Sequence, residues 1–268
     1  MDVVEVRIGS TTVRVRERSD ARYGAFWSTI AAGGFEPATV TVLEHRLGPG
    51  RTFVDMGAWI GPFTLVAAAL GADVVAFEVD PAAVAELTAN VAANPELAAR
   101  IDVRAQAVAA TSGTVTLDAG KVGLGNGLTR IRPGGDGQGP PVSAVGAAEL
   151  MADERVTRAA LVKIDIEGAE FSVIPRLSPW LRASRPAVLL SVHGVDPAAL
   201  GGRPLRLLAA RLLGAPKRVR LLWALREHPL AWRAVSNRAD AWQPLGLVAR
   251  AMLVFRLGEI ELLFATDR

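Results

Sequence analysis

The chain of 268 residues has no cysteine and only three histidines. Without cysteine it can form no disulfide, offer no thiolate nucleophile and bind no zinc through sulfur. The histidines, His45, His193 and His228, lie far apart in the sequence, which excludes a zinc hydrolase of the His-Glu-x-x-His type. Basic residues barely outnumber acidic ones, 30 against 27, so the charge balance makes a nucleic-acid partner unlikely.

Long apolar runs are also missing, although 50% of the residues are hydrophobic. No run approaches the roughly 18–20 residues that span a bilayer. The segment Met1–Glu5 lacks the basic stretch and apolar core of a signal peptide. We therefore expect a soluble cytoplasmic protein whose hydrophobic residues form one large α/β core.

The most informative pattern is a strand, a glycine turn and a helix, followed by a strand that ends in an acid. Thr52–Met56 predicts the first strand, Gly57 and Gly61 flank the turn, and Asp73–Phe77 leads into Glu78. A doubly wound sheet holds a nucleoside in this way, with the carboxylate on the ribose hydroxyls. The spacing Asp-x-Gly-x-x-x-Gly differs from the Gly-x-Gly-x-x-Gly of nicotinamide oxidoreductases. It favours S-adenosylmethionine, which has no pyrophosphate.

The remaining segments predict further helices and strands. Helices are expected at Tyr23–Ala32, Glu36–Leu47, Pro62–Leu70, Pro81–Ala93 and Gly168–Leu177, and strands at Val3–Ile8, Thr12–Arg16, Ile101–Val108, Thr114–Leu117, Leu161–Ile166 and Pro186–Val192. Ala251–Leu257 and Glu259–Thr266 predict a final antiparallel pair that turns at Gly258. The segment 119–141, rich in glycine and proline, predicts either a lid over the site or a disordered surface insertion.

We therefore expect a single domain built in four parts. Residues 1–50 would form an extension of a hairpin and helices, and residues 51–195 the cofactor-binding core. Residues 196–248 would form a helical insert rich in arginine and tryptophan, and residues 249–268 the final strand pair.

Polar residues stand where predicted strands end, and ligands of open α/β sheets bind beyond those ends. Asp55 would hold the glycine turn or meet the cofactor's ammonium group through water, and Glu78 would bind the ribose diol. Gly57, Ala58 and Gly61 would bring the backbone and a helix N-terminus close to the cofactor. Gln106 and Ala107 would border the adenine. Asp80, which precedes Pro81, is interpreted as a helix N-cap rather than a ligand contact.

An acidic cluster follows the strand that contains Lys163. Asp165, Glu167 and Glu170 would orient an acceptor, take its proton or hold a divalent cation, although a metal is not favoured. Helix capping and a salt bridge to Lys163 are the structural alternative. His193 would either take the proton as a neutral imidazole or make structural bonds only. His45 and His228 are expected on the surface or in helix packing.

The chain resembles the FkbM-type methyltransferases over about residues 36–195, with a weaker match at the final strands. The resemblance rests on Val54–Gly61, Phe77–Pro81, Leu87-x-x-Asn90-x-x-x-Asn94 and, above all, Val162–Glu170. It implies a class I fold, in which a mostly parallel, seven-stranded Rossmann-like sheet carries helices on both faces. It also implies S-adenosylmethionine as donor and O-methylation of a small-molecule hydroxyl, on a sugar, glycolipid or polyketide-type natural product.

Carried over by residue, the resemblance makes Asp55, Gly57, Gly61 and Glu78 cofactor contacts. It places Asp165 and Glu167 next to cofactor and acceptor. The chain departs from the family pattern in three places, with Trp59 for Asn, Val79 for Pro and Val145-Gly146 for Leu-Asp. An RNA methyltransferase and a non-catalytic, cofactor-binding member of the fold remain alternatives.

The segment 203–238 carries nine basic residues and one acid, Glu227, with Trp223 and Trp232 among them. Three interpretations remain open. It would form a helical cap over the substrate cavity, a contact with a membrane surface or a lipid-linked substrate, or a contact with nucleic acid.

Overall fold

The computed structural model describes residues 2–17, 23–118, 123–125, 127, 129–133, 139–193, 204–228, 230–234, 242–255 and 260–266. The strands are β1 Val3–Ile8, β2 Thr11–Arg16, β3 Thr52–Met56, β4 Asp73–Glu78, β5 Ile101–Ala105, β6 Ala107–Ala109, β7 Gly113–Asp118, β8 Arg130–Pro133, β9 Pro141–Gly146, β10 Leu161–Ile164, β11 Ala187–Val192, β12 Leu230–Ala234, β13 Trp242–Pro244 and β14 Ile260–Ala265. The helices are α1 Tyr23–Ala31, α2 Pro37–Arg46, α3 Pro62–Ala69, α4 Pro81–Ala92, α5 Pro95–Ala98, α6 Ala147–Ala152, α7 Glu154–Thr157, α8 Glu170–Ser184, α9 Pro204–Ala224 and α10 Leu247–Met252, which runs into a 3₁₀ turn at Leu253–Phe255.

The main sheet has the strand order β13-β12-β14-β11-β10-β3-β4-β5. The five strands from β11 to β5 are parallel, whereas β14 runs antiparallel to both β11 and β12. The predicted mostly parallel α/β sheet is therefore confirmed. Within the described residues the sheet has eight strands rather than seven, because β13 adds an edge strand beside β12.

Both faces of the sheet are covered, as the apolar runs of the central strands require. Phe53 and Leu161 face a core cluster that includes residues of the hairpin β1–β2 and of helices α1 to α3. Their neighbours Val54 and Val162 face the opposite cluster, which includes residues of α6, α8 and α9. Successive side chains of a strand point to opposite faces, so a continuous apolar run buries both. Among the described residues, no helix combines the length and apolar character that a membrane crossing demands.

A second, four-stranded sheet has the order β6-β9-β7-β8. The prediction of one strand over Ile101–Val108 is wrong, because the chain leaves the main sheet at Gln106. There the Gln106 N–H donates to Arg104 O at 2.8 Å. The described part of the predicted loop 119–141 holds strand β8, which pairs antiparallel with β7. Residues 119–122, 126, 128 and 134–138 of that segment lie outside the described residues.

The C-terminal predictions need two corrections. Strand β14 is confirmed, but Ala251–Leu257 is not a strand, since its described part belongs to α10 and the 3₁₀ turn. An apolar run of this length suits a buried helical segment as well as a strand, and Leu253 packs into the core. The antiparallel partner of β14 is instead β12, and the predicted turn at Gly258 lies outside the described residues. The insert 196–248 is thus only partly helical: it contains α9 but also β12 and β13.

The asparagines of the motif Leu87-x-x-Asn90-x-x-x-Asn94 attach the hairpin to the core. The side-chain carbonyls of Asn94 and Asn90 accept bonds from the backbone N–H groups of Arg14 and Arg16, at 2.8 and 2.9 Å. Asn90 Nδ2 also donates to Ile60 O in the glycine turn, at 3.0 Å. Asn90 lies in α4 and Asn94 just after its end, so this part of the chain holds the hairpin and the turn together.

Candidate functional site

A cavity of about 280 Å³ lies at the carboxyl ends of β3, β4, β10 and β11. Eight residues predicted from the sequence line it: Gly57, Ala58, Glu78, Gln106, Ala107, Asp165, Glu167 and His193. Asp55 and Gly61 do not line it. The structure thus brings most of the predicted site residues together and places two of them behind the cavity wall.

The glycine turn is packed too tightly for side chains. Gly57 has φ +88°, and a Cβ there would lie 1.8 Å from the backbone oxygen of Asp165. Its N–H donates to Phe77 O at 2.9 Å, so this residue joins three neighbouring strands. Gly61 has φ +90° and stands at the N-cap of α3, where a Cβ would lie 2.4 Å from Leu87 Cδ1. The two glycines therefore serve close packing around the turn.

Glu78 is fixed by the backbone. Its Oε2 accepts a bond from the Trp59 N–H at 2.7 Å, and its Oε1 accepts from the N–H groups of Val79 and Asp80, each at 2.8 Å. Burial raises the pKa of Glu78, although these three bonds oppose the rise. A carboxylate has about four acceptor positions, so the group keeps acceptor capacity for a ligand hydroxyl in the cavity that it lines.

Asp80 has the predicted N-cap role and a second one. Its Oδ1 accepts from the Ala82 N–H at 2.9 Å. Its Oδ2 accepts from the Gly125 N–H at 2.5 Å and from Thr129 Oγ1 at 2.7 Å. Gly125 O in turn accepts a bond from Trp59 Nε1 at 3.1 Å. The buried carboxylate thus attaches the described part of the glycine-rich segment to the cavity wall.

Aromatic side chains form another wall, and of these the sequence analysis named only Trp59. Phe26, Phe35, Trp59 and Phe63 line the cavity. Phe26 meets Trp59 and Phe35 edge to face, with ring centroids 4.6 and 4.8 Å apart. Phe35 stacks on Phe63 at 6.0 Å. The signal was the local density of aromatic residues from Tyr23 to Phe35 in a chain that is only 6% aromatic.

A buried group of charges surrounds Lys163. Its Nζ lies 2.8 Å from Asp165 Oδ2, and its side chain is almost fully buried. Burial alone would lower the pKa of Lys163, but Asp165, Glu36 and Asp55 outweigh it and raise the pKa. For Asp165, burial favours a higher pKa, yet the Lys163 charge outweighs it and the pKa is lowered. Lys163 is therefore the cation that opposes the effect of burial on these carboxylates and favours their ionised forms.

Asp55 belongs to this group rather than to the cavity wall. Its Oδ2 accepts a bond from Thr64 Oγ1 in α3 at 2.8 Å, which ties β3 to the helix after the turn. Its Oδ1 is buried without a hydrogen-bond partner among the described residues. Burial raises the pKa of Asp55 to about 6, although Lys163 opposes the rise. Of its two predicted roles, holding the turn is the one that this contact supports.

Glu36 is a cavity residue that the sequence analysis treated only as the start of a helix. It has the left-handed φ of 39° at the N-cap of α2, a conformation that non-glycine residues adopt rarely. Its Oε2 accepts a bond from Thr39 Oγ1 at 2.9 Å. Burial raises the pKa of Glu36 to about 8, although Lys163 opposes this. No sequence pattern marks Glu36, because its charge partner, Lys163, lies far away in the sequence.

His193 lies among three carboxylates. Its Nε2 is 3.3 Å from Glu167 Oε1 and 3.5 Å from Asp165 Oδ1, and its Nδ1 is 3.6 Å from Glu170 Oε1. Burial alone would lower the pKa of His193, but the bonds and charges of these acids raise it to about 10. A ring with that pKa carries a positive charge at neutral pH, which favours the structural alternative over a neutral imidazole that takes the proton. A catalytic role for His193 stays a prediction.

The same residues define the candidate metal ligands among the described part of the chain. One ligand atom each of Asp165, Glu167 and His193 lies within 4.8 Å of the others. Arg130 Nε also approaches Glu167 Oε2, at 3.7 Å. The imidazolium and the two neighbouring cationic side chains already compensate these carboxylates, which leaves less negative charge for a divalent ion.

Residues 55–207 match the family described as the methyltransferase FkbM domain. No curated protein matches the chain. Three solved structures are similar to it: a methyltransferase FkbM from Methylobacillus flagellatus KT (16% identity, TM-score 0.46), a SAM-dependent methyltransferase from Agrobacterium tumefaciens (10%, 0.46) and a geranyl diphosphate methyltransferase in complex with SAM (16%, 0.43).

The coverage of these structures differs. The alignment with the M. flagellatus protein covers 92% of this chain and 55% of that protein. The alignment with the A. tumefaciens protein covers 100% of this chain and 71% of that protein. The alignment with the geranyl diphosphate methyltransferase covers 94% of this chain and 92% of that protein. The chain therefore spans little more than half the length of the M. flagellatus protein. At these identities and TM-scores the likeness carries no conclusion about chemistry.

Proposed function

The chain belongs to the FkbM family of methyltransferases, and we propose that it transfers a methyl group from S-adenosylmethionine to a hydroxyl of a sugar or natural-product acceptor. The observation that carries the proposal is a cavity at the carboxyl edge of the sheet. It joins the backbone of the glycine turn and Glu78 to the group of Asp165, Glu167 and His193.

The donor would occupy the side of the cavity formed by β3 and β4. Glu78 would accept bonds from the ribose hydroxyls, since its carboxylate is held in place by three backbone N–H groups. Gln106 and Ala107 would border the adenine, at the point where the chain leaves the main sheet. Helix α3 has no side-chain cap at its N-terminus, so its first turn, with Phe63 on the cavity wall, would receive the methionine carboxylate.

The acceptor would occupy the side formed by the aromatic wall and the buried charges. A sugar ring has an apolar face that packs on aromatic rings and hydroxyls that bond to carboxylates. Phe35 and Phe63 offer the first kind of contact, and Glu36 and Glu167 offer the second. This pairing supports a polyhydroxylated acceptor over an entirely apolar one.

The chemical step would be an in-line displacement. S-adenosylmethionine supplies an electrophilic methyl group on a sulfonium. The acceptor oxygen forms a bond to the methyl carbon while the carbon–sulfur bond breaks, and its electron pair stays on the sulfur of S-adenosylhomocysteine. The hydroxyl proton passes to a carboxylate. The protein contributes mainly alignment and exclusion of water, and His193, as a cation, would orient Asp165 and Glu167 instead of taking the proton.

Glu36 is the carboxylate that we assign as proton acceptor. A group with a pKa of about 8 is a stronger base than an ordinary carboxylate when ionised. We expect the turnover number to rise with pH through about 8, since Glu36 loses its proton there. In the Glu36→Gln variant this rise should disappear and turnover should fall about 100-fold or more.

Thr39→Val provides the matched control for that profile. The Thr39 hydroxyl bond lowers the pKa of Glu36, so its loss should move the rising limb to higher pH and leave the plateau similar. A turnover–pH profile that is unchanged in Glu36→Gln would reject this assignment.

The proposed function is tested by label transfer from methyl-labelled S-adenosylmethionine to a panel of sugars, glycolipids and polyketide alcohols, with and without EDTA. We expect a labelled ether product and no loss of turnover in EDTA, because His193 and Lys163 already supply positive charge to the acids. Turnover that EDTA abolishes and Mg²⁺ restores would assign a metal to Asp165, Glu167 and His193. Label found only in added RNA would favour the RNA methyltransferase, and donor binding without transfer to any acceptor would favour a non-catalytic member.

A further inference from the structure

Exposed apolar side chains are concentrated on one part of the molecule. Among the described residues, the large exposed hydrophobics are Val3 and Val4 in the hairpin, five residues of α9 and two of α10. Those of α9 are Leu208, Leu212, Leu213, Val219 and Trp223, and those of α10 are Val248 and Met252. Leu213 is 78% exposed and Trp223 64%. Such concentrations on a protein surface mark interaction sites.

Four of these residues form a continuous line along α9. Leu208, Leu212, Val219 and Trp223 are spaced by four, seven and four residues, so they lie on one face at 3.6 residues per turn. Leu221 and Ala224, on the opposite face, are buried in the core with residues of α8. The four residues, which we call the α9 stripe, therefore point away from the protein.

The charges around the α9 stripe have one sign. Helix α9 contains no aspartate or glutamate. Arg211 and Arg220 are exposed and lie on either side of the stripe at 3.6 residues per turn, and the guanidinium of Arg226 lies 4.4 Å above the Trp223 ring. The nearby acid Glu227 is within 3.6 Å of Arg226 and 3.9 Å of Arg185. An apolar stripe flanked by cations and carrying a tryptophan is the composition of a helix that lies in a membrane interface.

We propose that the α9 stripe docks on an anionic lipid surface. The leucines and the valine would enter the boundary between headgroups and acyl chains, and the flanking cations would meet the lipid phosphates. Nucleic acid fits less well, since the exposed leucines have no partner on a phosphate backbone. A second copy of the same face would set the flanking cations against one another, and such like-charge contacts are unfavourable.

The docking helix is coupled to the cavity through α8. The guanidinium of Arg218 lies 5.8 Å above the Phe171 ring, in the first turn of α8. The preceding residue, Glu170, accepts a bond from the His193 backbone N–H at 2.7 Å. If the proposed function holds, docking would bring the cavity to hydroxyls carried by lipids. The docking itself does not depend on methyl transfer, so the two proposals can fail separately.

Sedimentation of the full chain with lipid vesicles tests the proposal. We expect binding to vesicles of phosphatidylcholine mixed with phosphatidylserine, weaker binding to phosphatidylcholine alone, and a decrease with salt. A Leu212→Gln/Trp223→Gln variant should lose about tenfold or more in vesicle affinity, since apolar burial supplies part of the binding. Arg211→Gln/Arg220→Gln should lose about fivefold in vesicle affinity per residue, on the anionic vesicles only.

Val3→Gln/Val4→Gln removes exposed apolar residues from the hairpin and should leave vesicle binding unchanged. Equal melting temperatures of the variants would establish that they fold. The proposal is overturned by absence of vesicle binding, by binding that ignores both α9 variants, or by association with RNA at physiological salt in place of vesicles. Concentration-dependent dimerisation that the α9 variants abolish, without vesicle binding, would also overturn it and assign the stripe to a second copy.

Discussion

The Gly57→Ala variant should be less stable than the wild type by about 3–5 kcal/mol. The added methyl group would lie 1.8 Å from the Asp165 backbone oxygen, which cannot move without disturbing β10. The positive φ contributes strain of its own, and strain and overpacking each cost roughly 1–3 kcal/mol. The shift would also break the bonds from the Gly57 and Ala58 N–H groups to Phe77 O. Chemical denaturation measures the difference.

Gly50→Ala is the matched control for this prediction. Gly50 also has a positive φ, +76°, but nothing lies within 4 Å of its added Cβ. Its substitution should therefore cost only the conformational strain, about 1–2 kcal/mol. Equal losses at the two positions would mean that the close approach of Gly57 to Asp165 has no energetic weight.

The Lys163→Met variant should lose about 3–5 kcal/mol of unfolding free energy at neutral pH, the usual cost of removing one partner from a buried ion pair. Lys163 is the cation next to Asp165, Glu36 and Asp55. Without it these buried carboxylates would face one another uncompensated, and the pKa of each would rise. Arg14→Met, which breaks the exposed pair Arg14–Glu96, should cost no more than about 1 kcal/mol.

The pH dependence of the Lys163→Met variant distinguishes charge from packing. Carboxylates whose folded pKa lies above the unfolded value destabilise the fold as they ionise, so stability falls as pH rises from the unfolded value to the folded one. For Asp55 in the wild type, this pH window runs from the unfolded pKa of 3.8 to the folded pKa of about 6. The deficit of the variant should therefore shrink as pH falls from 7 to 5. A deficit that does not change with pH would assign the loss to packing.

The central sheet could be predicted from the sequence because its signals are local. Thr52–Met56 is a strand with the predicted bounds, since a fully buried parallel strand is a short apolar run followed by glycine. Pairing across the sheet is not local. The break at Gln106 and the pairing of β14 with β12 depend on which distant strand is available. The strand prediction for Ala251–Leu257 is wrong for the same reason, because the local sequence does not show which distant segment pairs with β14.

The predicted site residues line the cavity where they stand at the end of a strand or directly after it. Glu78, Asp165 and His193 reach the cavity because parallel strands end at one edge. Trp59 occupies a left-handed backbone position. Its φ is +50°, a conformation that asparagine adopts more readily than most residues. Asparagine is also the residue that the family pattern implies at this position. In this chain the left-handed position holds a tryptophan, whose ring packs against Phe26 and donates to Gly125 O.

The protonation states could not be predicted, because they depend on distances between segments far apart in sequence. The pKa of His193 is raised because Glu167, Glu170 and Asp165 surround the ring. Glu36 acquires its raised pKa from burial, and Lys163, which lies far away in the sequence, opposes the rise. A motif names residue types, whereas charge follows from their three-dimensional neighbours.

Calorimetric titration of the protein with S-adenosylhomocysteine tests the central claim most directly, with Glu78→Ala measured beside the wild type and Glu96→Ala as an exposed control. We predict micromolar binding to the wild type and to Glu96→Ala. Glu78→Ala should bind about 100-fold more weakly, since two hydrogen bonds to a charged group are lost. A melting curve of the same sample checks its fold. Absence of binding to the wild type, or equal affinity in a folded Glu78→Ala variant, would contradict the account.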